Sequence, residues 1–168
     1  MSTTSTTTTG QAKSLLEAQL CFALYSASRT VTAAYRTVLA PVGLTYPQYL
    51  VLLALWDEDG LTVGQLGERL LLDSGTLSPL LRRLEEAGRV DRRRTSADGR
   101  LLTVCLTDRG RALRHLVDDV KCHLGTQMDL TPEESVQLRT LAQRVVDSRI
   151  PPHPGSGETP STPSQESR

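Results

Sequence analysis

Apolar side chains recur every three to four residues along most of this chain, and the period shortens to two in one place. Leu66 and Leu70 form one short stripe, and Leu77, Leu80, Leu81 and Leu84 form another. Both have helical spacing. Leu102, Val104 and Leu106 alternate instead, as on one face of a strand. Start signals mark where the helices begin. Thr45-Tyr-Pro-Gln48 and Thr62-Val-Gly-Gln65 read as capping boxes, Asp73-Ser74-Gly75 supplies cap residues, and Thr107-Asp108 opens a further helix. Thr131-Pro132-Glu133-Glu134 combines a cap, an early proline and an acidic first turn. Stops fall at Pro41, Gly43, Asp59-Gly60, Gly88, Gly125 and Pro151-Pro152. The pattern predicts helices over 13–39, 46–58, 63–70, 75–87, 108–128 and 132–149. Between the fourth and fifth, Asp98-Gly99 predicts a turn joining two short strands, one starting at Arg89 and one at Arg100.

Both ends lack this periodicity. Residues 1–12 are mostly Ser and Thr, and residues 151–168 are rich in Pro, Ser and Gly. They are predicted to be disordered tails around one domain, 13–150. The N-terminus has neither a basic start nor an apolar core, and the longest apolar run, Tyr49 to Trp56, is far short of the ~20 residues that span a bilayer. The expectation is a cytoplasmic protein without a membrane partner. Cys21, Cys105 and Cys122 are too few and too scattered for a disulfide framework, and no C-x-x-C pair suggests zinc. His115, His123 and His153 do not form a ligand set, so no metal and no cofactor is expected. No Ser/His/Asp arrangement or phosphate-cradling loop points to an enzyme.

Two short helices joined by a tight link and followed by a hairpin predict a winged helix-turn-helix. The fold class is mainly α with a small β wing. The DNA-binding lobe is expected over 61–107. The second helix of the pair carries Ser74, Thr76, Ser78, Arg82 and Arg83 away from its leucine face. Small hydroxyl side chains at a helix start allow close approach to phosphates or base edges, and a helix of ~20 Å fits a major groove. The hairpin holds Arg89, Arg92, Arg93, Arg94 and Arg100, suited to a narrow minor groove, with Asp98 two residues from Arg100 and in place to hold it. Nineteen basic residues balance nineteen acidic ones overall, which excludes a generic polycation. The distribution is uneven: residues 82–114 contain ten basic against five acidic side chains. The expected partner is double-stranded DNA read at a defined site.

The stretch LGERLLLDSGTLSPLLRRLEEAGRVDRRRTSADGRLLTVCLTDRGRAL, with Asp98 and Arg100 at the wing tip and Leu106 to Gly110 after it, resembles the winged helix-turn-helix of MarR-type regulators. That resemblance implies a homodimer paired through its first and last helices (here 13–39 and 108–149), bound to a pseudo-palindromic operator and usually repressing. Leu20 to Trp56 is similar to the organic-hydroperoxide-sensing, OhrR-type branch. The similarity implies that Cys21 is the peroxide-reactive thiol, that Tyr35 and Tyr46 hydrogen-bond its sulfur with Tyr25 nearby, and that oxidation releases the operator of a peroxide-detoxification gene. In two-cysteine members of the branch a second thiol closes an intersubunit disulfide. The matching position here is Thr126, and Cys122 lies one turn earlier. Either Cys122 or a low-molecular-weight thiol then resolves oxidised Cys21.

The residues themselves bear partly on this. Every aromatic side chain lies between Phe22 and Trp56. Phenolic donors favour a thiolate, although a lone helical cysteine is commonly just a small apolar residue. Cys21 and Tyr35 are fourteen residues apart, ~21 Å along one helix with no proline or glycine between them. A site containing both needs either a break in the helix or a residue from a second subunit, and the lack of proline or glycine favours the second subunit. Cys105, on the wing strand, reads as a bystander. Two other readings stay open: a MarR-type repressor released by a small aromatic or phenolic ligand, and a thiol peroxidase using Cys21.

Overall fold

A computed structural model describes residues 14–94 and 102–148. The predicted tails, the Asp98-Gly99 turn and the side chains of Asp98 and Arg100 lie outside the described residues. The chain divides into two units, one ending at Met128 and one beginning at Asp129.

In the first unit, α1 (Leu20–Leu39) leads through a 3-10 turn, Ala40–Val42, to α2 (Tyr46–Asp57). The reversal uses Gly43 at φ +62°, a left-handed conformation that suits glycine. Gln48 reaches back to the Thr45 N–H at 2.9 Å, as its capping box predicts. The helix pattern overestimated α1 at its start. Ser14 and Glu17 cap each other, but the turn they begin does not propagate, and Gln19 is extended with φ −86° and ψ 122°. A first turn costs more than it gains unless packing follows, and residues 14–20 are all exposed.

α2 is the centre of the core. Tyr49, Val51, Leu52, Ala54 and Leu55 are buried there. Around it pack α3 (Val63–Leu70) through Leu66 and α4 (Ser74–Glu86) through Leu77, Leu81 and Leu84. α4 forms despite Pro79 within it. Proline removes one intrahelical hydrogen bond, and here it lies on the exposed face where water replaces it. The strands are β1 (Leu61–Thr62), β2 (Val90–Arg94) and β3 (Leu102–Leu106), in the antiparallel order β1-β3-β2. Sequence reading anticipated the β2–β3 pair. It missed β1, whose two residues are too few to show a period, although Leu61 pairs with Val104. Val104 and Leu106 point inward as predicted, while Leu102, at the strand's open end, is exposed.

The helix expected over 108–128 is three pieces: α5 (Asp108–Ala112), a 3-10 turn over Leu113–His115, and α6 (Leu116–Gln127). Leu116, Val120 and Leu124 bury one face of α6, which packs along α1. The second unit contributes α7 (Pro132–Asp147), opened by Thr131 and Glu134 in a reciprocal cap. Val136, Leu138, Leu141, Val145 and Val146 on α7 are exposed. No single helix among the described residues is long and apolar enough to cross a membrane.

Candidate functional site

Asp73 positions the start of α4. Its Oδ1 accepts the Thr76 N–H at 2.8 Å, and its Oδ2 accepts the Thr76 hydroxyl at 2.8 Å. The bond from the Thr76 N–H, then that from its hydroxyl, hold the Asp73 carboxyl below its ordinary value. The Ser78 hydroxyl donates to the Ser74 carbonyl at 2.7 Å. Ser74, Thr76, Ser78, Arg82 and Arg83 are all exposed, on the side of α4 away from its buried leucines. Two of the hydroxyl protons are already donated within the helix. The outward lone pairs of Thr76 and Ser78 are then left as acceptors.

The arginines divide more sharply than their spacing suggests. Arg82 pairs with Glu86 at 3.6 Å and Arg93 with Asp91 at 3.4 Å, both exposed pairs that water competes for. Arg92 is half-buried and meets Glu85 of α4 at 3.3 Å, which ties the wing to the recognition helix. Arg94 is exposed. Arg89 is not on the DNA face at all. It is buried, with Nη1 donating to the Gly43 carbonyl at 3.0 Å and Nη2 to the Val42 carbonyl. Burial, with the nearby Arg109 charge, holds its pKa below the ordinary arginine value. Strand parity gave no sign of this, because Arg89 precedes the first paired residue, Val90.

Tyr35 and Tyr46, both half-buried, pack with ring centroids 4.4 Å apart and planes tilted by 43°, and the buried Tyr49 lies 5.8 Å from Tyr35. Burial raises the pKa of Tyr35 and Tyr46, and that of Tyr49 to about 12. All three phenols keep their protons near neutral pH and remain donors. Tyr49 was not among the predicted site residues. Cys21 is exposed near the start of α1, one turn before Tyr25. Tyr25 is exposed too, and its hydroxyl accepts from Arg29 Nη1 at 3.1 Å. Because α1 is unbroken from Leu20 to Leu39, Cys21 and Tyr35 lie ~21 Å apart in one chain. The structure brings the tyrosines together and keeps the thiol away from them.

Cys122 is exposed on α6 and lines a shallow groove of about 570 Å³ with Thr37, Val38, Pro41, Asp119 and His123. Thr37 is sixteen residues from Cys21, ~24 Å along α1. A disulfide needs Cα atoms within roughly 7 Å, so Cys21 and Cys122 of one chain cannot join. Cys105 is half-buried beside Gly60, away from both. Among the described residues, no group of three or more His, Cys, Asp or Glu side chains is placed to hold a metal.

A helix pair presenting an exposed polar edge beside a three-stranded wing defines a winged helix-turn-helix regulator. The comparisons with known proteins agree. The MarR-family profile matches residues 42–101. The HTH-type transcriptional regulator TtmR of Methylorubrum extorquens (strain PA1) is 46% identical over 144 residues, spanning 86% of this chain and 72% of TtmR. The organic hydroperoxide resistance transcriptional regulator of Bacillus subtilis (strain 168) is 43% identical over 126 residues, 75% of this chain and 84% of that protein. AbfR of Staphylococcus epidermidis, reduced and bound to DNA, matches with a TM-score of 0.64 at 37% identity, covering 77% of this chain and 91% of AbfR. Disulfide-formed AbfR matches with a TM-score of 0.56 at 37% identity, covering 76% of this chain and 90% of that one. The chain belongs to the MarR family of DNA-binding transcriptional regulators, and it is related to redox-sensing members of that family. It is a regulator, not an enzyme, which removes the thiol-peroxidase reading.

Proposed function

We propose that this chain is a dimeric, thiol-switched repressor that leaves its operator when an organic hydroperoxide oxidises Cys21. One observation carries the reading. Cys21 is exposed at the start of α1, next to the exposed Leu20 and one turn before the exposed Tyr25, while Tyr35, ~21 Å further along the same helix, meets Tyr46 and Tyr49 of α2. Exposed apolar helix surface is covered when a second copy packs against it. Antiparallel packing of two α1 helices sets Cys21 of one protomer beside Tyr35 and Tyr46 of its partner. The kinship with the Bacillus subtilis hydroperoxide regulator and with AbfR, known reduced on DNA and in disulfide form, supports the same chemistry.

In the switch, the Cys21 thiolate attacks the terminal peroxide oxygen. The O–O bond breaks, the sulfur keeps the terminal hydroxyl as a sulfenic acid, and the leaving alkoxide takes a proton from water to become the alcohol. A thiol then displaces water to give a disulfide. That thiol is the partner subunit's Cys122 or a small molecule. The tyrosine bonds to sulfur are lost, the dimer changes shape, and its two recognition helices leave their half-site spacing of ~34 Å. A peroxide-detoxification gene is the expected target.

The test is a gel shift of wild type and Cys21→Ser with cumene hydroperoxide, followed by dithiothreitol. Wild type should release DNA and regain it on reduction, while Cys21→Ser stays bound. Release by the mutant would sink the proposal. A second reading, release by an aromatic acid, is favoured by one feature. Trp56, Arg114, His115 and Lys121, alongside the carboxylates Asp57 and Asp118, line a cleft of about 550 Å³ between α2 and the start of α6. Release that reverses on dialysis without reductant would favour it.

A further inference from the structure

The turn between α3 and α4 contains a residue that the fold does not ask for. Leu71 has φ +55° and ψ 41°, and it is the only non-glycine with positive φ among the described residues. A left-handed residue at this point closes α3: the Leu71 N–H reaches the carbonyls of Gly67 and Glu68, and the Leu72 N–H bonds Gly67 at 2.9 Å. Helix ends of this kind favour glycine, or asparagine, because a Cβ there crowds the backbone. Leucine meets that penalty without recovering it by burial, since Leu71 is 74% exposed. A single exposed leucine is ordinary on a protein surface. An exposed leucine held in a disfavoured backbone conformation calls for a reason outside the fold.

Its position supplies one. Leu71 lies two residues before Asp73, the cap of α4, and three before Ser74. Its Cα is therefore within ~11 Å of the start of the recognition face. Its exposed neighbours Glu68, Arg69, Asp73 and Ser74 are polar, so it does not belong to an apolar patch broad enough for a protein partner. A leucine adds nothing to attraction for a polyanion. The apolar feature that DNA offers at the edge of a major groove is the thymine methyl group.

We infer that Leu71 is a specificity-determining residue that contacts a thymine C5-methyl beside the base pairs read by α4. The inference rests on the DNA-binding part of the function above and is independent of its redox part.

The experiment uses the reduced full-length protein and a duplex that it selects from a random pool. Recovery of such a duplex tests DNA binding itself. Fluorescence anisotropy then compares wild type with Leu71→Gly, and with Leu71→Asn as a second residue that tolerates the left-handed turn. Leu71→Gly should melt about 2–4 °C higher, as strain is relieved. Both variants should bind the selected duplex roughly five- to tenfold more weakly, with affinity for random-sequence DNA unchanged. Replacing thymines one at a time by uracil should reveal a position where the methyl matters to wild type and not to Leu71→Gly. Undiminished affinity in both variants overturns the inference. So does an equal loss on random-sequence DNA, or a uracil profile identical in wild type and variant.

Discussion

The Asp59 carboxylate accepts the backbone N–H of Leu106 at 2.8 Å, joining residues 47 apart in sequence. Its Oδ1 also accepts the Gly60 N–H at 3.0 Å, and its Oδ2 meets Arg111 Nη1 at 2.5 Å. Arg111 in turn donates to the Leu106 carbonyl at 2.7 Å. One acid thus ties the segment after α2 to the base of the wing and to α5.

Stability should depend on this acid at low pH. Burial pushes the Asp59 carboxyl up, but bonds from Leu106, Arg111 and Gly60 outweigh that and leave it below its ordinary value. A depressed folded pKa adds stability that is fully present above the unfolded value of about 3.9 and is lost as pH falls through the folded value. Asp59→Ala should cost about 1.5–3 kcal/mol at pH 7 in urea denaturation. The gap between wild type and mutant should shrink below about pH 4. A gap unchanged down to pH 2 would assign the loss to packing.

Gly110 leaves no room for a side chain. A Cβ there would fall 2.1 Å from the Arg89 carbonyl oxygen, a backbone atom that cannot swing away. The Trp56 indole also donates to the Gly110 carbonyl at 3.1 Å, fixing the segment from the other side. Gly110→Ala should lower stability by at least ~3 kcal/mol, read by thermal melting and urea denaturation, or prevent soluble expression.

Phenylalanine at 35 or 46 keeps the packed ring and removes only the hydroxyl. Tyr35→Phe and Tyr46→Phe should bind operator as wild type does when reduced. Their release by hydroperoxide should slow by roughly tenfold, the value of a hydrogen bond to a charged sulfur. Stopped-flow anisotropy after mixing with cumene hydroperoxide measures it. Unaltered rates in the double mutant would remove the tyrosines from the mechanism.

Cys122 is out of reach of Cys21 within one chain, so a bond between them must join two chains. If Cys122 resolves oxidised Cys21, oxidised wild type should run as a covalent dimer on non-reducing electrophoresis and Cys122→Ser as a monomer; a wild type that stays monomeric points to a small thiol. A covalent dimer that persists in Cys122→Ser would exclude this cysteine as the resolving thiol.

Arg83 and Arg94 are exposed on the recognition helix and wing. If each neutralises a phosphate, its removal releases one counterion fewer per protomer. Arg83→Ala and Arg94→Ala should each make the slope of log affinity against log salt shallower by about 1 for every phosphate left without its arginine. Arg89→Met should instead lower the melting temperature, because its guanidinium holds carbonyls within the fold.

Much of this was legible in the chain because its signals are local. Thr45, Thr62, Asp73, Thr107 and Thr131 each cap a helix as predicted, since a cap involves only neighbours within three or four residues. The leucine stripes of α3 and α4 and the inward face of β3 follow from period alone. Where local signals failed, a distant part of the chain decided. The break at Leu113–His115 interrupts a good helical pattern close to where Gly110 is pressed against Arg89. β1 exists only because β3 lies beside it.

The sequence by itself determined the order of elements, the hydroxyl-edged recognition helix, the arginine-rich wing and the separation of Cys21 from Tyr35. Those depend on local propensity and helical rise, which need no partner. Only the tertiary structure decided which polar side chains serve the fold and which remain for a ligand. Arg89 and Arg92 look alike in sequence with Arg93 and Arg94, yet one is buried against Val42 and Gly43 and another is tied to Glu85. Burial and hydrogen-bond partners depend on what the folded chain brings alongside, and no spacing along the chain records that.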